Sequence, residues 1–87
     1  VSGVLFKDLV IDSPTYAGLH IEGPNAVTNA TFDTIAITNA GSYGILVRAK
    51  STGGGTFTNV TVTGSNGLNY EPNASFNIAK GAGNSGW

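Results

Sequence analysis

The feature that most limits what this chain can fold into is an internal repeat. Three segments open on a phenylalanine and continue alike: Phe6-Lys7-Asp8-Leu9-Val10-Ile11-Asp12, Phe32-Asp33-Thr34-Ile35-Ala36-Ile37-Thr38 and Phe57-Thr58-Asn59-Val60-Thr61-Val62-Thr63. The phenylalanines stand 26 and then 25 positions apart. In each segment the residues three and five places on are aliphatic, and those between are mostly polar or small. That is period-two alternation, the mark of a strand with one buried face.

A second strand is expected after each first one: Gly18-Leu19-His20-Ile21-Glu22, Gly44-Ile45-Leu46-Val47-Arg48 and Gly67-Leu68-Asn69-Tyr70-Glu71. Glycine leads each, where a tight bend leaves no room for a Cβ or needs positive φ. On this alignment the third loop is two residues shorter than the others. A constant offset of about 25 residues favours stacking over hairpins. Equivalent positions then lie one strand spacing apart, about 4.8 Å.

Stacking makes five inward columns: Phe6/Phe32/Phe57, Leu9/Ile35/Val60, Ile11/Ile37/Val62, Leu19/Ile45/Leu68 and Ile21/Val47/Tyr70. Outward, Glu22/Arg48/Glu71 would alternate in charge, and Lys7 would lie over Asp33, a mildly favourable opposition. The chain therefore reads as all-β, a parallel β-helix of about three turns over residues 1–72.

Residues 73–87 break the pattern. Phe76 and Ile78 suit one more short strand, but the Gly-rich remainder cannot complete a turn. It reads as an irregular C-terminal cap with Trp87 folded over the open end, since terminal units of solenoids are atypical. Val1 to Leu5 runs straight into the first strand without a cap. The chain also lacks Met and opens Val-Ser-Gly. It is thus expected to be a processed or partial piece of a larger domain, with further turns on the N-terminal side.

Composition narrows the function. Four Lys/Arg against five Asp/Glu, net charge −1, give no electrostatic reason to bind nucleic acid or an anionic membrane. The apolar runs are too short to span a bilayer. There is no Cys, so neither disulfides nor thiolate metal sites exist. No cofactor or metal site is expected.

Reactive groups are few. A glycosidase needs two carboxyls about 5–5.5 Å or about 6.5–9.5 Å apart. Glu22 and Glu71, two turns apart, would stand near roughly 9.6 Å by the strand spacing. Arg48 between them would hold both ionised, which is wrong for a general acid. His20 is the one imidazole, on the outward face of its strand over Leu46 and Asn69. A lone His makes no metal site. Gly53-Gly54-Gly55 reads as a loop without the Lys and helix of a phosphate loop. Three Asn-x-Ser/Thr triplets, at Asn29, Asn59 and Asn73, fit turn chemistry better than glycosylation. Tyr16 and Tyr43, in loops before the leading glycines, could with His20 offer a stacking surface to sugar rings. Packing within the loops is the favoured account of the tyrosines.

The turn Phe32 to Ile37 followed by Tyr43-Gly44-Ile45-Leu46-Val47 resembles the turns of pectate-lyase-like β-helices. The closing Gly81-Ala82-Gly83-Asn84-Ser85-Gly86-Trp87, with Ser13-Pro14-Thr15-Tyr16-Ala17-Gly18-Leu19 upstream, resembles the C-terminal end of bacterial α-1,3-glucanases and mycodextranases, glycoside hydrolase family 87. The resemblance implies a right-handed β-helix, secretion, an α-glucan substrate and inverting endo-hydrolysis. It also implies catalytic aspartates in Asp-Gly and Asp-Asp-Gly motifs. No Asp here is followed by Gly, so the catalytic residues are expected outside this chain, on the rest of the enzyme. The rival expectation is a non-catalytic carbohydrate-binding or structural β-helix. A pectin-degrading lyase would need calcium or a basic cluster, which Arg48, Lys50 and Lys80 do not supply.

Overall fold

A computed structural model describes residues 2–23, 25–48 and 51–87. Val1 and Lys50, which entered the sequence reading, lie outside the described residues. Seven strands follow one another, and among the described residues there is no helix. They are β1 (Leu5–Asp12), β2 (Ala17–Ile21), β3 (Val27–Thr38), β4 (Tyr43–Val47), β5 (Gly53–Thr63), β6 (Leu68–Glu71) and β7 (Phe76–Lys80). Odd strands form one sheet in the order β1-β3-β5-β7, and even strands a second in the order β2-β4-β6. All pairings are parallel. The chain thus alternates between two sheets, and each layer of one odd and one even strand lies on the layer before it.

The first three expected columns are realised. Phe6 pairs with Phe32 and Phe32 with Phe57; Leu9, Ile35 and Val60 align, as do Ile11, Ile37 and Val62. Phe32, Ile35, Ile37, Phe57, Val60 and Val62 are all buried. The rings stack at 5.1 Å and 4.2 Å between centroids, nearly parallel. Sequence alternation alone would put residues two apart on one face, yet Phe6 and Leu9 are three apart. The structure explains this with a bend. Asp8, Thr34 and Asn59 all have positive φ, 56°, 58° and 54°. One left-handed residue turns the strand so that the residue two before it and the residue one after it both face inward. A second ladder of positive φ follows at Ser13, Asn39 and Gly64. Asn and Asp suit this region; a β-branched Thr does not.

The even strands correct the sequence reading. Leu19 lies on Ile45 as expected, but Ile45 lies on Tyr70, and Leu68 lies under Tyr43. The fourth column is therefore Leu19/Ile45/Tyr70, and Leu68 is left 53% exposed. The fifth column, Ile21 on Val47, has no third strand residue, because Pro72 follows β6 and a proline cannot donate to a ladder. Aligning the third strand on Gly67 slipped it by two residues. A two-residue slip preserves which side chains face inward, so alternation could not detect it. The connecting loops stack too: Gly41 N–H donates to Pro14 O and Gly67 N–H to Ser42 O, both at 2.8 Å. The third loop is not shortened. The shorter step comes later, where β7 pairs with β5 at Gly53 and Phe76.

Gly53-Gly54-Gly55 is not a loop. It opens β5, between β3 and β7. The register shifts between Val27 and Ala30, opposite Gly53 and Gly55. Two residues, Thr28 and Asn29, oppose Gly54 there, and the offset falls from 26 to 25. Such a bulge absorbs one residue without disturbing the columns on either side. Glycine is required here because a Cβ at Gly53 would meet Val27 O and one at Gly55 would meet Ala30 O; Phe76, paired with Gly53, is buried in the core.

The tail packs across the last layer of strands. Beyond β7, Asn59 N–H donates to Ala82 O and Val62 N–H to Ser85 O. Asn84 takes Val60 N–H on its Oδ1 and donates to Phe57 O. Trp87 Nε1 donates to Val60 O at 2.9 Å. Its ring extends the phenylalanine column, 5.2 Å from Phe57, and packs edge-on to Tyr70. Lys80 holds the phenylalanine position in the last layer, donates to Trp87 O and lies 4.2 Å from the indole centroid.

Candidate functional site

The residues read as a sugar platform come together. Tyr16 sits in the loop between β1 and β2, Tyr43 opens β4, and His20 lies on β2. Ser42 N–H and Tyr43 N–H both donate to Tyr16 O, at 2.8 and 3.0 Å. These bonds stitch the first loop to the second and set Tyr16 beside Tyr43. The ring centroids are 5.7 Å apart with planes at 81°, and Tyr16 to His20 is 5.9 Å at 62°. Edge-to-face pairs of this kind are favourable and hold ring orientation. Tyr16 is 41% exposed, His20 is exposed and Tyr43 half-buried.

Tyr43 is not the counterpart of Tyr16. Gly41, Ser42 and Gly67 fix the loop register, and Tyr43 pairs with Ala17. The two tyrosines are therefore staggered by one residue across adjacent layers. That stagger lets their rings meet at an edge.

Two charged residues that sequence reasoning assigned to a charge column complete the patch. Arg48 follows β4, anchored by its N–H to Ile21 O at 3.0 Å. Its Nη2 donates to Tyr16 Oη at 2.5 Å. Glu22 follows β2 and places Oε2 3.5 Å from His20 Nε2. Both side chains are substantially exposed, so that contact contributes at most about 1 kcal/mol. Glu71 is elsewhere: it pairs with Leu46, in the column of His20. The expected Glu22/Arg48/Glu71 column and the Glu22/Glu71 pair with Arg48 between are thus overturned by the two-residue slip in β6. His20 lies over Leu46 and Glu71, not Asn69.

Asp12 and Asp33 have local partners. Asp12 Oδ1 accepts from Ser13 and Thr38 hydroxyls, both at 3.0 Å, and Asp33 accepts from Thr34. Lys7 pairs with Asp33 as expected. Asp12 aligns with Thr38 and Thr63, and Asp33 with Lys7 and Thr58, so neither shares a column with a second carboxylate. Among the described residues no group of three His, Asp or Glu side chains could hold a metal ion, and no helix is long and apolar enough to cross a membrane. Asn29 and Asn59 occupy positive-φ bends. Asn73 Oδ1 accepts from Ser75 N–H and hydroxyl, an Asx turn. All three triplets therefore have conformational work to do.

The site combines two phenol rings, an imidazole, a carboxylate and a guanidinium on one exposed face. Aromatic rings of this kind can pack against apolar C–H faces, and the charged groups can form hydrogen bonds. No protein-family model, no curated protein and no solved structure matches the chain.

Proposed function

We propose that this chain is part of a right-handed, pectate-lyase-like parallel β-helix in a secreted polysaccharide hydrolase of the α-1,3-glucanase type, and that it binds α-glucan through Tyr16, His20 and Tyr43. The observation that carries the reading is the convergence of these three rings, with Arg48 and Glu22 beside them. The stacked parallel layers support the β-helix, and the tail motif resembling glycoside hydrolase family 87 supports the substrate. The catalytic aspartates of such an enzyme lie outside these residues. Arg48 and Glu22 would orient hydroxyls, and the rings would hold the chain of sugars against the layers.

A second reading has an observation in its favour. Asp12 and Asp33, tied to neighbouring hydroxyls and aligned with no second acid, supply no carboxylate pair, so a non-catalytic carbohydrate-binding or structural module fits the same surface. One experiment separates these from a purely structural role. Retention of the chain on insoluble α-1,3-glucan is expected, and Tyr16→Ala with Tyr43→Ala should abolish it while circular dichroism stays unchanged. Equal retention by the folded double variant would remove the platform. Release of reducing ends by the chain alone would overturn the placement of the catalytic acids elsewhere.

A further inference from the structure

The three rings of the patch do not share a plane. Tyr16 is inclined at 81° to Tyr43 and at 62° to His20, with centroids 5.7 Å and 5.9 Å away. These steps follow from the fold. Tyr43 opens β4 and pairs with Ala17, so it stands one residue further along its layer than Tyr16 does. Tyr16 is held at both ends. Its carbonyl accepts from Ser42 N–H and Tyr43 N–H, and its phenol oxygen accepts from Arg48 Nη2. A phenol tied at backbone and hydroxyl, and in edge contact with two further rings, resists swinging flat.

The ring geometry bears on the physical form of the ligand. Dispersion contact requires a ring and the face it meets to lie within about 4 Å across the whole ring, and a gap of a fraction of an ångström forfeits much of it. An ordered polysaccharide surface presents coplanar faces. It would meet one of these rings and leave the others at an angle, out of contact. A single chain turns about its glycosidic bonds, and each sugar unit takes its own inclination. Successive units of such a chain follow the step from Tyr43 to Tyr16 to His20. The flanking charges favour the same form. The Arg48 guanidinium keeps N–H donors beyond the one given to Tyr16, and Glu22 is an acceptor. They need hydroxyls presented at the rim of a chain, not hydroxyls already bonded to neighbouring chains within an ordered surface. Leu46, paired with His20, is fully buried, so its column adds no apolar floor that would level the steps.

We infer that this patch takes a single, unordered glycan chain, in solution or in an amorphous gel, and not the face of an ordered, crystalline polysaccharide. The inference rests on the sugar-binding reading proposed above and adds to it the form of the substrate.

The test uses one α-1,3-glucan prepared in two forms, regenerated from alkali as an amorphous gel and annealed to a crystalline solid, with a soluble α-1,3-linked oligosaccharide as competitor. The gel is expected to retain severalfold more of the chain per unit of accessible surface, and the oligosaccharide to release it. Tyr16→Ala removes the middle ring of the step. In that variant, with circular dichroism unchanged, oligosaccharide affinity should fall about tenfold, and the preference for the gel should fall with it. Equal or greater retention on the crystalline form, resistant to the oligosaccharide, would overturn the inference while leaving sugar binding in place. So would a preference for the gel undiminished in the folded variant. Retention on neither form, with no response to the oligosaccharide, would remove the sugar platform and this inference together.

Discussion

At the scale of single residues, backbone conformation governs more than side-chain chemistry. Three positions per ladder carry the left-handed bend, and two of the occupants, Asp8 and Asn59, are residue types that tolerate it. Thr34 is β-branched and does so under strain. Thr34→Asn is expected to raise stability by about 1 kcal/mol in urea unfolding. No change would mean that the bend is held without strain. Tyr70 carries a pH signal of its own. Burial against Trp87 raises its phenol pKa above the ordinary value near 10. Below about pH 10 the phenol is protonated whether the chain is folded or not, so it contributes no pH dependence. Above that the unfolded chain ionises first, and stability falls as pH rises through the raised folded value. Tyr70→Phe is expected to flatten that alkaline loss in chemical denaturation at pH 9 to 11. The bends were hidden in the sequence because Asp, Thr and Asn differ in type, and only their shared offset links them. The offset was visible, but the alternation reading absorbed them as outward residues.

At the scale of elements, burial separates layers that the sequence makes look equal. Phe32 lies between two stacked rings, while Phe6 has one ring on one side and solvent on the other. Phe32→Ala should therefore cost about 3–5 kcal/mol, and Phe6→Ala well under half of that. Equal costs would mean that β1 is covered in solution. The odd-strand register was legible because Phe followed by aliphatics at three and five places is distinctive. The even strands are shorter, and Gly67 offered a false alignment point two residues from the true one. Leu68 and Tyr70 both suit an inward position, so only the stacked loops at Gly41, Ser42 and Gly67 decide between the alternatives. The glycine run at 53–55 was read as a loop because glycine disfavours strands. Its place is instead set by the close approach of the β3 and β7 backbones, at Val27 O, Asn77 O and Ala30 O, and by the positive φ of Gly53. Tyr16, Tyr43 and His20 are legible as ring-bearing residues on or beside the first two even strands. Arg48 is not, because its bond to Tyr16 spans 32 residues and depends on the one-residue stagger between loops.

At the scale of the whole molecule, a stack of layers has a direction. One end of the stack is covered by β7, Asn84, Lys80 and Trp87, whereas β1 leaves part-exposed the column that β3 and β5 bury. The aromatic patch runs along the even strands of the first two layers, from Tyr16 and Tyr43 at their starts to His20 and Arg48 at their ends. The measurement that tests the central claim most directly is an amide and aromatic NMR titration of the chain with a soluble α-1,3-linked glucan oligosaccharide. Saturable shifts at Tyr16, His20, Tyr43 and Arg48, with the core phenylalanine signals unmoved, are the expected result. No saturable shift at that patch, or binding mapped to another face, would contradict the assignment of this chain to a carbohydrate-binding role.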